Sequence, residues 1–275
     1  MSKKGERLDK LMVKKGLVSS RTKAQALIMA GKVIVDGNRI EKAGSQLDPE
    51  VEVSVIEETS NWVSRGAHKL LKALDSFRLS PEGRVCLDIG ASTGGFTHVL
   101  LEWGAKKVYS VDVGYGQLAW KIRQDPRVVV MERTNARYLK PQDLQELPEL
   151  ITIDASFISL RILLPAIAKL MDKEAVLVSL VKPQFEAGKN RVGKNGVVRD
   201  PEIHFQVIKD LCTFIWKEIP ELSLEGIEHS PITGPKGNIE FLLHLRSAIT
   251  GNRKMLDEST IENIVQKAHN ELLPR

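Results

Sequence analysis

The chain has 275 residues, 42% of them hydrophobic and 27% charged, with a formal net charge of +5. That length suffices for one large core and a smaller second module, and the basic surplus admits an anionic partner without demanding one. Cys86 and Cys212 are far apart and lack metal-ligand spacing, which speaks against a disulfide-stapled scaffold and fits a reducing cytoplasm. The opening MSKKGER has no apolar segment behind it, so no signal peptide is expected; the longest apolar region, 150–171, is broken by Asp154, Arg161 and Lys169 and cannot span a bilayer.

Charge is concentrated at the start. Up to residue 42 there are eleven basic and four acidic residues, a surplus of seven that exceeds that of the whole chain. Leu8, Leu11 and Met12 have helical spacing. A second helix is expected after Ser20 as N-cap, with Ala24, Leu27 and Ile28 on its apolar face and Gly31 as its stop. KVIVDGNRI then reads as a small hairpin turning at Asp36-Gly37. Two helices and a hairpin bearing Arg7, Lys10, Arg21 and Lys23 can rest on a phosphate backbone; the same charges also fit a solvated face.

Residues 1–58 are thus read as one module and 59–64, the end of EETSNWVS, as a linker. The body is expected over 65–247 and a C-terminal helical tail over 248–275. The tail carries Ile261, Ile264, Val265, Ala268 and Leu272 at helical spacing, as expected of one packing helix. In the body, strand-like runs end at Asp88, Asp112, Asn135, Asp154 and Lys182, at intervals of about one strand plus one helix. The expected fold is α/β, a repeated βα unit with a mainly parallel sheet, whose polar strand ends gather at one ligand-binding edge. Lys182 ends the apolar run AVLVSLV and is followed by Pro183, which cannot continue a ladder. An ammonium in that interior place is costly unless it is used.

LDIGASTGGFT is a strand, a glycine-rich turn and a helix start, in which Gly90, Gly94 and Gly95 permit close backbone approach to a ligand. Asp112, at the next strand end, is placed to accept ribose hydroxyls. A dinucleotide site is conceivable, but the spacing G-x-x-x-G-G is not that of a nicotinamide fingerprint. An acidic first strand followed by D-x-G-x-x-x-G resembles the S-adenosylmethionine site of class I methyltransferases. That resemblance implies a cofactor cradle of Asp88, Gly90, Ser92, Gly94, Gly95, Phe96 and Thr97, with Asp112 and Val113, Asn135 and Ala136, and Asp154 at the following strand ends.

The acceptor is read by comparison of chemistries. Attack on an exocyclic amine goes with an Asp/Asn-Pro-Pro-aromatic loop, whereas this loop reads Asp154-Ala155-Ser156-Phe157. Attack on cytosine carbon five needs a cysteine at the edge, and neither cysteine is placed for it. An oxygen acceptor remains, and a lysine whose free pKa of about 10.4 is lowered by burial and a second cation can activate one. Lys69, Asp154, Lys182 and Glu240 are the candidate set. In that order they resemble the tetrad of FtsJ-type ribose 2′-O-methyltransferases, with Lys182 as general base.

The N-terminal pattern from Arg7-Leu8-Asp9 through Gly37 resembles the alpha-L RNA-binding domain of the S-four type. Together with SRGAHKL, VDVGYGQLAWK, ERTNAR, IDASFISLR, LVKPQFEAGKNRVGKNGVVRD and SPITGPKGNIEFLLHL, it makes about nine-tenths of the chain resemble the TlyA family, haemolysin-A-like ribosomal RNA methyltransferases. The resemblance implies methylation of cytidine ribose in small- or large-subunit ribosomal RNA. It also implies RNA contacts from Arg65 and from a basic lid with Lys189, Arg191, Lys194 and Arg199. Phe157 and Phe185 can stack on a base or pack in the core. Ala67 and Ser60 depart from the family pattern, which commonly has glycine and a basic residue there. His68, His204, His229 and His244 show no metal-ligand spacing and are read as structural or surface groups. A membrane-active haemolysin and a non-catalytic ribosome-assembly binder are the other classes open at this point.

Overall fold

The computed structural model describes residues 5–18, 20–29, 31–55, 62–248 and 253–273. Its contacts divide the chain into two compact units, Met1–Asn61 and Trp62–Arg275.

The first unit contains β1 (Glu6–Arg7), α1 (Leu8–Lys14), α2 (Arg21–Met29), β2 (Val33–Val35), β3 (Asn38–Arg39), β4 (Gln46–Leu47) and β5 (Val53–Val55). The helix spacing read from Leu8, Leu11 and Met12 is met, and all three are buried with Ala24, Ile28 and Val33 in one small core. Ser20 accepts the Lys23 amide at 3.2 Å, and β2 and β3 pair across Asp36-Gly37. A residue quoted in the N-terminal motif but given no role there organises the basic face. Asp9 is fully buried, and its carboxylate takes both Arg7 nitrogens, Arg21 and Gln25 at 2.8–3.0 Å. The Arg7 guanidinium, ahead of Gln25 and Arg21, holds that carboxyl far below the usual range.

In the second unit, chain order is α3 (Ala67–Phe77), β6 (Val85–Ile89), α4 (Gly95–Glu102), β7 (Lys107–Val111), α5 (Trp120–Arg123), β8 (Val128–Met131), β9 (Leu150–Ile153), α6 (Leu160–Ile167), β10 (Val176–Val181), α7 (Pro183–Glu186), α8 (Pro201–Glu218), β11 (Leu222–His229), β12 (Phe241–Ser247) and α9 (Glu258–Leu272). The sheet order is β11-β12-β10-β9-β6-β7-β8. The five strands from β10 to β8 are parallel, and β12 runs antiparallel between β10 and β11. Every residue of β6, β9 and β10 is buried, as expected of interior strands covered on both faces. One core joins the sheet to α6, α8 and α9, and a second joins it to α3, α4 and α5. The long helices start where side chains cap them: Asp200 accepts Glu202 N before Pro201 opens α8, and Asp257 accepts Thr260 N before α9. In the stretch read as a tail, α9 buries Ile261, Val265 and Ala268.

Three expectations are corrected. The run read to Asn135 is strand only to Met131, and the link from β8 to β9 carries two 3-10 turns, Ala136–Tyr138 and Pro141–Asp143, instead of a helix. Pro141 and Pro148 leave no room there for an uninterrupted helical run. The run read to Asp88 continues to Ile89, so Asp88 is an interior strand residue rather than an end. Of the stretch read as a linker, residues 59–61, including Ser60, lie outside the described residues. Trp62 and Val63 belong to the second unit: the Trp62 ring packs edge-on against His98 at 4.8 Å, and the Val63 amide points to His98 Nδ1 at 3.4 Å.

Candidate active site

The carboxyl ends of β6, β7, β9 and β10 open onto two adjoining cavities that share Gly90, Ser92, Asp154, Ser156 and Phe157. The first, about 550 Å³, is lined by Lys69, Lys182 and Glu240; the second, about 420 Å³, by Asp112, Val113, Gln117, Asn135 and Ala136. Both are within the range of small-molecule sites.

In the first cavity the four candidate groups come together. Lys182 follows the last residue of β10, and its Nζ lies 2.6 Å from Asp154 Oδ1. Lys69 reaches in from the first turn of α3, 2.5 Å from Glu240 Oε2 and 3.8 Å from Asp154 Oδ2. Glu240 comes from the residue before β12, a strand that runs opposite to its neighbour, so its start lies at the edge where the parallel strands end. Both lysines are 7% exposed and Glu240 is 1% exposed. Two ammonium and two carboxylate groups are thereby held alternately, each cation against a carboxylate, which is what makes so much buried charge tolerable. A partner not singled out among the candidate site residues completes Lys182: Nζ donates to Ser156 Oγ at 2.9 Å.

The second cavity is framed by the glycine-rich turn. Gly90 has φ +82°, and a Cβ there would lie 2.7 Å from the Asp154 carbonyl oxygen. Only glycine lets β6 pass so close to the end of β9. The turn is fastened by Asp112, whose Oδ2 accepts Ser92 N at 2.8 Å while Oδ1 accepts Gly114 N at 2.7 Å. Asn135 caps the 3-10 turn after β8 by accepting Arg137 N, and Val113 is exposed. The close backbone passage at Gly90, the free faces of the Asp112 and Asn135 side chains and the apolar Val113 and Ala136 fit an adenosine-bearing ligand.

Five residues read into the cofactor cradle do not line it. Asp88 is completely buried beneath the turn, where Thr97 and Thr152 hydroxyls donate to its two oxygens at 2.7 and 3.0 Å, and burial pushes its carboxyl up to about 6. Thr97, also completely buried, shares a 2.8 Å hydrogen bond with Ser110, and Phe96 faces the core. Gly94 and Gly95 face protein: added Cβ atoms would meet Leu118 at 2.8 Å and Ser64 Oγ at 2.2 Å. These residues seat α4 against its neighbours and shape the turn from behind.

The residues assigned to RNA are dispersed. Lys10, Arg21 and Lys23 are exposed on the first unit, with Arg7 half-buried. Arg65 is exposed and donates to Thr233 O at 3.1 Å. In the stretch read as a lid, Arg191 donates to Ala187 O and lies 3.9 Å from Asp210, and Arg199 is exposed. The side chains of Lys189 and Lys194 lie outside the described residues. The far end of this stretch is pinned, because Asn238 accepts Val198 N and donates to Gly196 O. Phe157 is 89% exposed at φ +64°, its ring 5.2 Å from that of Phe185, which rules out core packing for Phe157. His204 bonds His269 and His229 lies between Glu228 and Glu271, both tying α9 to the body.

Residues 62–247 match the FtsJ-like methyltransferase family, the class that this sheet and this edge define, and residues 6–53 match the S4 domain. The chain belongs to the TlyA family of these enzymes: it is 45% identical to the 16S/23S rRNA (cytidine-2′-O)-methyltransferase TlyA of Mycobacterium tuberculosis over 96% of this chain and 97% of that one. It is 35% identical to the 23S rRNA (cytidine-2′-O)-methyltransferase TlyA of Campylobacter jejuni, covering 84% and 96%. Among solved structures, a hemolysin candidate from Streptococcus thermophilus superposes with a TM-score of 0.78 at 45% identity, covering 98% and 97%. No helix among the described residues is long and apolar enough to cross a membrane.

Proposed function

We propose that this enzyme methylates the 2′-hydroxyl of cytidine in ribosomal RNA, using S-adenosylmethionine as methyl donor and Lys182 as general base. The observation that carries the reading is the cluster of Lys69, Asp154, Lys182 and Glu240 in a cavity that shares Asp154 with the glycine-turn cavity. Asp112, Asn135, Val113, Ala136 and the Gly90–Ser92 turn hold the donor, which supplies an electrophilic methyl group. Asp154 borders both cavities and keeps Lys182 at the boundary between donor and acceptor. Lys182 takes the hydroxyl proton, and the resulting ammonium is held by the Asp154 carboxylate. Lys69, paired with Glu240, lies 3.8 Å from Asp154 Oδ2 and helps to place that carboxylate beside Lys182. Phe157, exposed at the cavity mouth, offers a ring on which a base can stack.

The basic helix starts of the first unit, arranged around Asp9, serve the RNA backbone. The relative named for both 16S and 23S rRNA aligns over more of this chain than the one named for 23S alone, which favours action on both subunits. The two buried, unpaired cysteines suit a cytoplasmic enzyme. The test is mapping of 2′-O-methyl groups after incubating the protein and donor with unmethylated 30S and 50S subunits. Methylated cytidines in both are expected; methylation of a base atom, or no transfer to either subunit, overturns the reading.

A further inference from the structure

Lys182 does not stand against Asp154 alone. Its amine also donates to Ser156 Oγ at 2.9 Å, and the Asp154 carbonyl oxygen is 3.5 Å away. An uncharged amine has two N–H bonds and one lone pair, disposed tetrahedrally. On the Cβ–Cε stem alone it would rotate freely and spend most of its time with the lone pair turned away from an acceptor. Nζ donates to Ser156 Oγ at 2.9 Å and to the Asp154 carbonyl oxygen at 3.5 Å, while the Asp154 carboxylate at 2.6 Å makes an ion-pair contact without hydrogen-bond geometry, so two directions are taken by N–H bonds and the third is left for the lone pair. Both oxygens belong to the segment 154–156 that borders the two cavities. Ser156 is itself exposed there, so it is not needed to fill a core.

The segment is built to keep Ser156 in place. Its next residue, Phe157, is held in the left-handed region, a conformation that costs a non-glycine residue about 1 kcal/mol or more. Three residues further on, Glu186 of α7 accepts Ser159 Oγ at 2.6 Å and Leu160 N at 2.7 Å. The loop is therefore tied twice to the strand-end turn that carries Lys182, once through Ser156 and once through Glu186.

We infer that Ser156 is a positioning residue for the reaction: its hydroxyl, together with the Asp154 carbonyl oxygen, orients the Lys182 amine so that the lone pair faces the acceptor hydroxyl. This rests on Lys182 being the base. During transfer the acceptor O–H bond breaks, its proton joins the Lys182 nitrogen, and the oxygen pair forms the bond to the methyl carbon as the carbon–sulfur pair returns to sulfur. The new ammonium then has three N–H bonds, two of them already met by Asp154 and Ser156.

The test uses the full-length protein, unmethylated ribosomal subunits and tritium-labelled donor. Ser156→Ala is expected to lower kcat by about 10–100-fold, the range for loss of orientation at a reacting atom. The KM for subunits and the calorimetric affinity for S-adenosylhomocysteine are expected to stay within about twofold. Ser156→Thr, which keeps the hydroxyl, is expected to restore most of the turnover. In a Lys182→Ala background, Ser156→Ala is expected to have no further effect, because it acts through the amine. If Ser156→Ala keeps full kcat while Lys182→Ala loses it, the positioning role fails and the base stands. Full activity in both variants overturns the base itself. A rise in KM in place of the fall in kcat, or an additive loss in the double variant, also overturns the inference, since Ser156 would then act on the RNA directly.

Discussion

Replacing Glu240 by leucine strands a buried cation. Lys69 Nζ and Glu240 Oε2 are 2.5 Å apart with side chains 8% and 1% exposed. At an effective dielectric constant near 20, Coulomb attraction at that distance is about 7 kcal/mol, most of it offset by the cost of removing both charges from water. After Glu240→Leu the desolvation of Lys69 persists with only Asp154, 3.8 Å away, to oppose it. Loss of one partner of a buried pair typically costs about 3–5 kcal/mol, and that is the expected destabilisation. Adding Lys69→Met removes the stranded charge, and the double variant is expected to recover to within about 1 kcal/mol of the parent. Turnover is expected to fall in both variants and not to return in the second. All four tryptophans, Trp62, Trp103, Trp120 and Trp216, lie in the second unit, so urea unfolding followed by their fluorescence reports that unit directly. A loss below about 1 kcal/mol for Glu240→Leu would show that the pair is not desolvated as described, and restored turnover in the double variant would show that it serves stability alone.

Lys182→Ala is expected to lower kcat by about 10²–10⁴-fold with little change in affinity for S-adenosylhomocysteine measured by calorimetry. Gly90→Ala is expected to cost about 1–3 kcal/mol, from the positive φ and the 2.7 Å approach to Asp154 O, and to weaken S-adenosylhomocysteine binding as well as turnover. Phe157→Gly exchanges left-handed strain for chain entropy, so stability is expected to change by less than about 0.5 kcal/mol while turnover on subunits falls. His204 is held neutral by burial, then by His269, with its pKa lowered to about 4 from 6.5. A base depressed in this way contributes stability above its unfolded value that is lost as pH falls from about 6.5 towards 4, about 3 kcal/mol in all. Asp88, raised to about 6, acts in the opposite sense over part of that range. The readout is therefore the stability difference between parent and His204→Gln, expected to shrink by about 1.4 kcal/mol per pH unit on acidification; a pH-independent difference would refute the buried neutral imidazole.

The tetrad was legible because each member stands at a junction: Lys182 and Asp154 follow strands, Glu240 precedes one, and Lys69 lies in the first turn of a helix. Junctions are what breaks in apolar runs reveal. Side-chain direction inside a fully buried strand is different. In VCLDI both faces are apolar, so alternation says nothing about where Asp88 points, and it turns beneath the glycine turn to Thr97 and Thr152. Gly94 and Gly95 share the motif with Gly90, yet they face Leu118 and Ser64, which come from distant segments. The missing helix between β8 and β9 was signalled by Pro141 and Pro148 but overridden by the regular spacing of strand ends. The Ser156 contact depends on a left-handed Phe157, a backbone state that no propensity announces.

The last strand made is not the last in the sheet. β12 slots between β10 and β11, and among the described residues β11 hydrogen-bonds to no other strand. While the ribosome is still producing residues 241–247, one side of Val176–Val181 is bare, an aliphatic edge of the kind that other nascent chains adhere to. Glu240 arrives at the threshold of the strand that covers it. Closing the gap and giving the buried Lys69 its carboxylate are therefore a single act.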